Sequence, residues 1–150
     1  MSLSPERSIN YREEPHAIRR AIFLDAPVPR VWKAVATSEG LASWLMPNDF
    51  QPVVGIRFSF KTKPQGDWNG VVECEVTELE EPARLAFTWC ETPAVAPTLV
   101  TFELHDLDGK TEFCLVHSGW EKLPAGHASL LDQGLGCKML RRLAEVVEQV

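Results

Sequence analysis

The sequence predicts an α+β fold in which a curved antiparallel β-sheet wraps round one long C-terminal α-helix, with two short helices after the first strand. Three observations carry this reading. Apolar residues recur with period two from residue 51 onward as far as His117, they recur with helical period towards the C-terminus, and the strand-like runs are joined by short turn signals. Short connections of that kind join antiparallel neighbours.

Residues 1–16 are polar and without period, and Pro15 falls near their end, so they read as a mobile arm that leaves 17–150 as one domain. Ala17 to Leu24 is a strand-like run closed by Asp25-Ala26-Pro27. Pro27 and Pro29 suit only a helix start, and Val28, Val31, Trp32 and Val35 follow at helical spacing. Ser38 is the expected N-cap of a second short helix that carries Leu41, Trp44 and Leu45 and stops at Pro47.

Alternation then takes over. Phe58 and Phe60, then Val72, Cys74 and Val76, then Leu85, Phe87 and Trp89, then Val100, Phe102 and Leu104, and last Phe113, Leu115 and His117 each occupy one face of a strand. The turn signals between them are Lys63 to Asp67, Glu81-Pro82-Ala83, Pro93 to Pro97, and Asp106 to Gly109. One sheet face is apolar and aromatic and the other polar. At 100° per residue, Ala128, Leu131, Leu135, Met139, Leu143, Val146 and Val150 share a helical face flanked by Gly136, Leu140 and Val147, with Lys138, Arg141, Arg142, Glu145 and Glu148 opposite.

A chain of 150 residues suits one domain, able to bury roughly 70% of its unfolded surface. The net charge of −6, with scattered basic residues, argues against a nucleic-acid partner. No apolar run reaches the ~18–20 residues of a membrane span, and charges occupy the N-terminus where a signal peptide would be apolar, so a cytoplasmic location is expected. Cys74, Cys90, Cys114 and Cys137 form no CxxC pair and read as free thiols.

The stretch from Val31 to Trp44, the following Met46-Pro47-Asn48-Asp49-Phe50 and the later Val116-His117-Ser118-Gly119-Trp120 resemble the activator of heat-shock-protein-90 ATPase homologues. That family belongs to the START-like, or SRPBCC, superfamily, and the YndB-type bacterial proteins show the nearest pattern. The resemblance runs from about Ile18 to the C-terminus. It implies a helix-grip fold with a cavity between sheet and helix, and binding of a small apolar molecule more than catalysis. The chaperone activator that names the family has a further domain with no counterpart here, so a chaperone partner and a stress-response role rest on the resemblance alone. Many relatives also carry a tryptophan early in the last helix, where Gln133-Gly134-Leu135-Gly136 stands here and would leave more space.

On this basis the expected ligand site lies between sheet and C-terminal helix and is lined by Phe58, Phe60, Phe87, Trp89, Phe102, Leu115, Leu135 and Met139, with Trp44 and Trp120 at its entrance. Large rings opposite pliable residues either interdigitate into a solid core or leave a cavity, and the pattern fits both. If the interior is packed solid, with no void beyond the size of one water, the binding role fails and a protein-interaction module, presenting surfaces near Trp68, Trp120 and the loop Glu91 to Pro97, becomes the better reading. The expected assembly is a monomer or weak dimer.

Catalysis has less support. There is no HExxH, GxGxxG, GxSxG or P-loop motif, and no metal or cofactor is expected, since His16, His105, His117 and His127 lack ligand spacing. His117 shares the inward phase with Phe113 and Leu115; it is either a buried histidine bonded to backbone or water, or a polar anchor for a ligand. Asp132 falls on the apolar stripe and is either solvated beyond the sheet or faces the gap. If both face the gap they form a general acid/base pair, and because some START-like relatives are cyclases or hydrolases the resemblance implies such an enzyme as the alternative to a binding protein. Neither has a recognisable orienting partner, so a binder is expected rather than an enzyme.

Overall fold

Each period-two stretch becomes a strand in the computed structural model, which describes residues 9–14, 17–64, 66, 69–91, 97–119 and 135–148, with backbone alone for 10–14 and 135–137. The order is β1 (Ile9–Glu14), β2 (Ala17–Leu24), α1 (Val28–Val35), α2 (Ser38–Trp44), β3 (Arg57–Lys61), β4 (Val71–Glu80), β5 (Arg84–Trp89), β6 (Thr98–Leu107), β7 (Lys110–Ser118) and α3 (Leu135–Glu148). The strands make one seven-stranded sheet in the order β1-β2-β7-β6-β5-β4-β3, antiparallel throughout. A register shift between Val76 and Glu78 interrupts the β4–β5 ladder, a place where a strand bends and the sheet curls. This is the helix-grip arrangement. No helix among the described residues is long and apolar enough to cross a membrane.

Three details depart from the sequence reading. Residues 9–14, assigned there to a mobile arm, form β1 on β2, with Ile9 opposite Ile22 and Glu14 opposite Ala17. Backbone pairing at a sheet edge makes this strand, and pairing leaves no apolar period to read; Ile9 is half-buried against the core. The N-cap of α2 is Thr37, not Ser38: Thr37 is extended and its Oγ1 accepts from Gly40 N at 3.0 Å, while the Ser38 hydroxyl donates to the Asn48 carbonyl. On α3, Met139, Leu140, Leu143, Ala144 and Val147 are buried and Val146 is exposed, so the buried stripe is turned towards Ala144. Ala144 is small enough to bring the helix close to its neighbours, which an apolar count weighted towards large side chains overlooks. Ala128, Leu131 and Val150 lie outside the described residues.

The helices reach the sheet through an elbow. Trp32 is buried, as its helical spacing indicates, and α2 folds back on α1 at Gly40. A Cβ on Gly40 would collide with the Lys33 carbonyl and with the Cα and carbonyl of Ala34, all backbone atoms that cannot turn aside. Through this close approach the Trp44 indole donates to the Ala34 carbonyl at 2.8 Å. Helix propensity alone would make Gly40→Ala stabilising by about 0.5–1 kcal/mol. The collision reverses the sign: Gly40→Ala is expected to lower stability by about 1–3 kcal/mol in urea denaturation, and a more stable variant would show that the elbow opens freely.

Candidate functional site

Period-two alternation sends one aromatic side chain after another to the concave face of the sheet, and antiparallel register lines them up across strands. Phe58 meets Phe87 at 5.5 Å between ring centroids, Phe87 meets Phe102 at 5.4 Å, and Phe102 meets Phe113 at 5.2 Å. Trp44 comes down from α2 onto this seam, 5.7 Å from Phe102 and edge-on to Phe113 at 6.1 Å. Tilted and edge-to-face pairs of this kind contribute about 0.5–1.5 kcal/mol each beyond the area they bury.

Between the seam and α3 lies a void of about 10 Å³ bounded by Trp44, Leu45, Phe87, Trp89, Val100, Phe102, Leu115 and Met139. Its walls are wholly apolar, and its volume is about that of a single water position. Six residues assigned to the site from the sequence therefore meet here, together with Leu45 and Val100, which were read as core positions only. Phe58 and Phe60 are buried in the packed part of the seam, away from the void. Trp44, expected at an entrance, is instead fully buried among the rings because its N–H is bound to Ala34 within the elbow. Leu135 stands at the first position of α3, described by backbone alone, whereas Trp68, Trp120, His127, Asp132 and most of the loop Glu91 to Pro97 lie outside the described residues. A larger cleft of about 740 Å³ runs between α1, α2 and the end of α3, lined by Arg30, Lys33, Thr37, Glu39 and Val147 among others; it is open and of mixed polarity.

Polar groups gather at one end of the concave face. His117 is fully buried, and its Nε2 lies 2.6 Å from Thr98 Oγ1. The Thr98 hydroxyl also lies 3.3 Å from the Trp89 carbonyl, to which it can donate, and the direction of the His117–Thr98 bond follows the imidazole tautomer. Val100 pairs with His117 and also bounds the void, so the imidazole is one strand position from the apolar space.

Arg20 was missed. It is buried on the same face, opposite Leu115 and diagonal to His117 across the β2–β7 pair. The signal was present in the sequence: Arg20 falls in the inward phase between Ile18 and Ile22. The arrangement offers an aromatic surface with an imidazole at one end and a buried arginine on the same face, suited to holding an apolar body with a polar tip.

Cys74, Cys90 and Cys114 are free thiols, and burial above all, then Cys90, Glu73 and Asp49, pushes the Cys74 thiol far up, which makes it an inert part of the core. Thr98→Val removes the partner of His117 Nε2 inside the core and is expected to cost about 1–3 kcal/mol in urea denaturation. A change within about 0.5 kcal/mol, the range of ordinary surface substitutions, would show that Thr98 does not hold the ring.

Comparison with known proteins places this geometry. A search of the curated proteins finds no match. Among solved structures, the Bacillus halodurans protein BH1534 is 31% identical, with 92% of this chain and 99% of that chain covered at a TM-score of 0.69. CalU16 from Micromonospora echinospora is 20% identical over 97% of this chain and 78% of its own, with a TM-score of 0.70. The Aha1 dimer from Colwellia psychrerythraea is 21% identical over 88% and 96%, with a TM-score of 0.68. The sequence profile described as Activator of Hsp90 ATPase homolog 1-like protein matches residues 25–148, from the turn after β2 to the last residue of α3, and the chain belongs to that family.

Proposed function

We propose that this protein binds a small, largely apolar molecule, aromatic, lipid-like or polyketide-like, between the sheet and α3. The observation that carries the reading is the wholly apolar void walled by Trp44, Phe87, Trp89, Phe102 and Met139, adjoining the buried His117–Thr98 pair. At about 10 Å³ the void admits a ligand only if a wall moves. Met139 is the wall suited to do so, since an unbranched thioether re-packs at little cost while the rings opposite are held by one another. His117 then meets the polar tip of the ligand.

The void is no larger than one water, the size at which the sequence reading gives up the binding role, so the interior as it stands favours a second reading, a module that works through its surface, in keeping with the dimer formed by the Colwellia relative, and binding requires that Met139 move. The two separate in one experiment. A panel of flavonoid-like, fatty-acyl and polyketide-like compounds is expected to contain a member that changes tryptophan fluorescence, through Trp44 and Trp89, and raises the melting temperature; occupancy at about 100 times Kd adds about 2.7 kcal/mol. Met139→Phe, which adds about one methylene of volume and replaces the pliable wall with a rigid ring, should fold and lose both responses. If the whole panel leaves fluorescence and melting unchanged, the cavity reading fails and the surface reading stands. For a polar-headed ligand, His117→Gln is expected to weaken binding by about 1–3 kcal/mol while sparing apolar ones, checked by fluorescence titration.

A further inference from the structure

The convex face of the sheet brings together donors that the linear sequence keeps apart. Glu103 and His105 lie two apart on β6 and therefore point the same way, outward, while Phe102 and Leu104 point in. On β7 the partner of Glu103 is Cys114, and the partner of His105 is Glu112. A carboxylate oxygen of Glu103, an imidazole nitrogen of His105 and the Sγ of Cys114 all lie within 4.8 Å of one another. Glu103 Oε1 is 3.6 Å from His105 Nε2.

The far oxygen of that carboxylate is held in place. Glu103 Oε2 accepts from Arg84 Nη1 at 2.8 Å, and Arg84 is braced in turn by Glu78 through Nε at 2.8 Å. The near oxygen is thereby turned towards His105 and Cys114, as outer partners turn the carboxylate ligands of metal sites. Glu103 and Cys114 are half-buried and form the floor, and His105 is exposed and forms the lip.

We propose that Glu103, His105 and Cys114 form a binding site for a divalent transition-metal ion of borderline softness, with Zn²⁺ the best match. Thiolate, imidazole and carboxylate together are a zinc donor set, and sulfur disfavours Mg²⁺ and Ca²⁺. Zinc holds such donors at about 2.0–2.3 Å, so atoms now within 4.8 Å close on an ion by side-chain rotation, chiefly of the exposed His105. Three protein ligands leave a fourth position, which water or Glu112 across from His105 can take. Burial, then the Glu112 and Glu103 carboxylates, push the Cys114 thiol up to about 11, so it keeps its proton at neutral pH until a cation replaces it. The Arg19 guanidinium, 3.8 Å from Glu103 Oε1 and 42% exposed, makes a weak contact that the ion displaces.

The test uses the full chain, reduced and freed of metal with a chelator, titrated with Co²⁺ as a spectroscopic stand-in. The expected result is a thiolate-to-cobalt charge-transfer band saturating at one equivalent and abolished by Zn²⁺. Cys114→Ser should remove the band, and His105→Ala and Glu103→Gln should weaken binding by at least about tenfold. Cys90→Ser should leave it intact. Far-UV circular dichroism confirms that each variant is folded, which their outward position favours. No band up to millimolar Co²⁺, or a band that survives Cys114→Ser or disappears with Cys90→Ser, overturns the proposal.

Discussion

The register of the β6–β7 hairpin is the constraint on which the rest depends. Leu107 pairs with Lys110, leaving Asp108 and Gly109 as a two-residue turn with φ of 59° and 93°. Both values are left-handed, the signature of the turn whose twist matches that of the strands it joins, and Asp and Gly are the residues that enter it most readily. Because strand side chains alternate, a slip of one residue would exchange the faces. With the turn in place, Phe102, Phe113, Leu115 and His117 enter the core, and Glu103, His105 and Cys114 emerge together on the other side. The two chemically distinct faces of this protein are thus set by one backbone turn.

The helices complete the concave face by filling it. α2 delivers Trp44 into the aromatic seam, and the indole hydrogen bond to Ala34 fixes how deep it sits. α3 covers the other side with Met139, Leu140, Leu143 and Val147. Complete burial of a large apolar side chain contributes about 1.5–3 kcal/mol, so rings and helix together supply ample stability to tolerate one small gap at Met139. The gap occurs where the most pliable side chain faces the most rigid ones.

Polar groups inside such a core are costly unless bonded. Thr111 is fully buried and donates to the Ala26 carbonyl at 2.8 Å, tying β7 to the chain just before α1. Thr98 and His117 satisfy one another beside the void. Arg20 sits on the same wall. Membership of the family accounts for the scaffold, while the placing of these polar groups on an aromatic wall belongs to the side chains of this chain.

The strands, the two short helices and the concave aromatic set were legible in the sequence because each follows from a local period, and burial of one face enforces it. The inward phase of Phe87, Trp89, Phe102, Leu115 and His117 needed no knowledge of what packs against them. β1 was not legible, since its existence depends on backbone pairing with β2 and not on its own side chains. Nor was the choice between packed rings and open space: Phe58 and Phe60 have the same pattern as Phe87 and Trp89, and only the position of α3 separates those that line the void from those that fill it. The convex cluster was the least legible. His105 and Cys114 have no meaningful spacing along the chain, and ligand distance between them arises only when two strands pair in one register, because proximity across a sheet belongs to the ladder rather than to either strand.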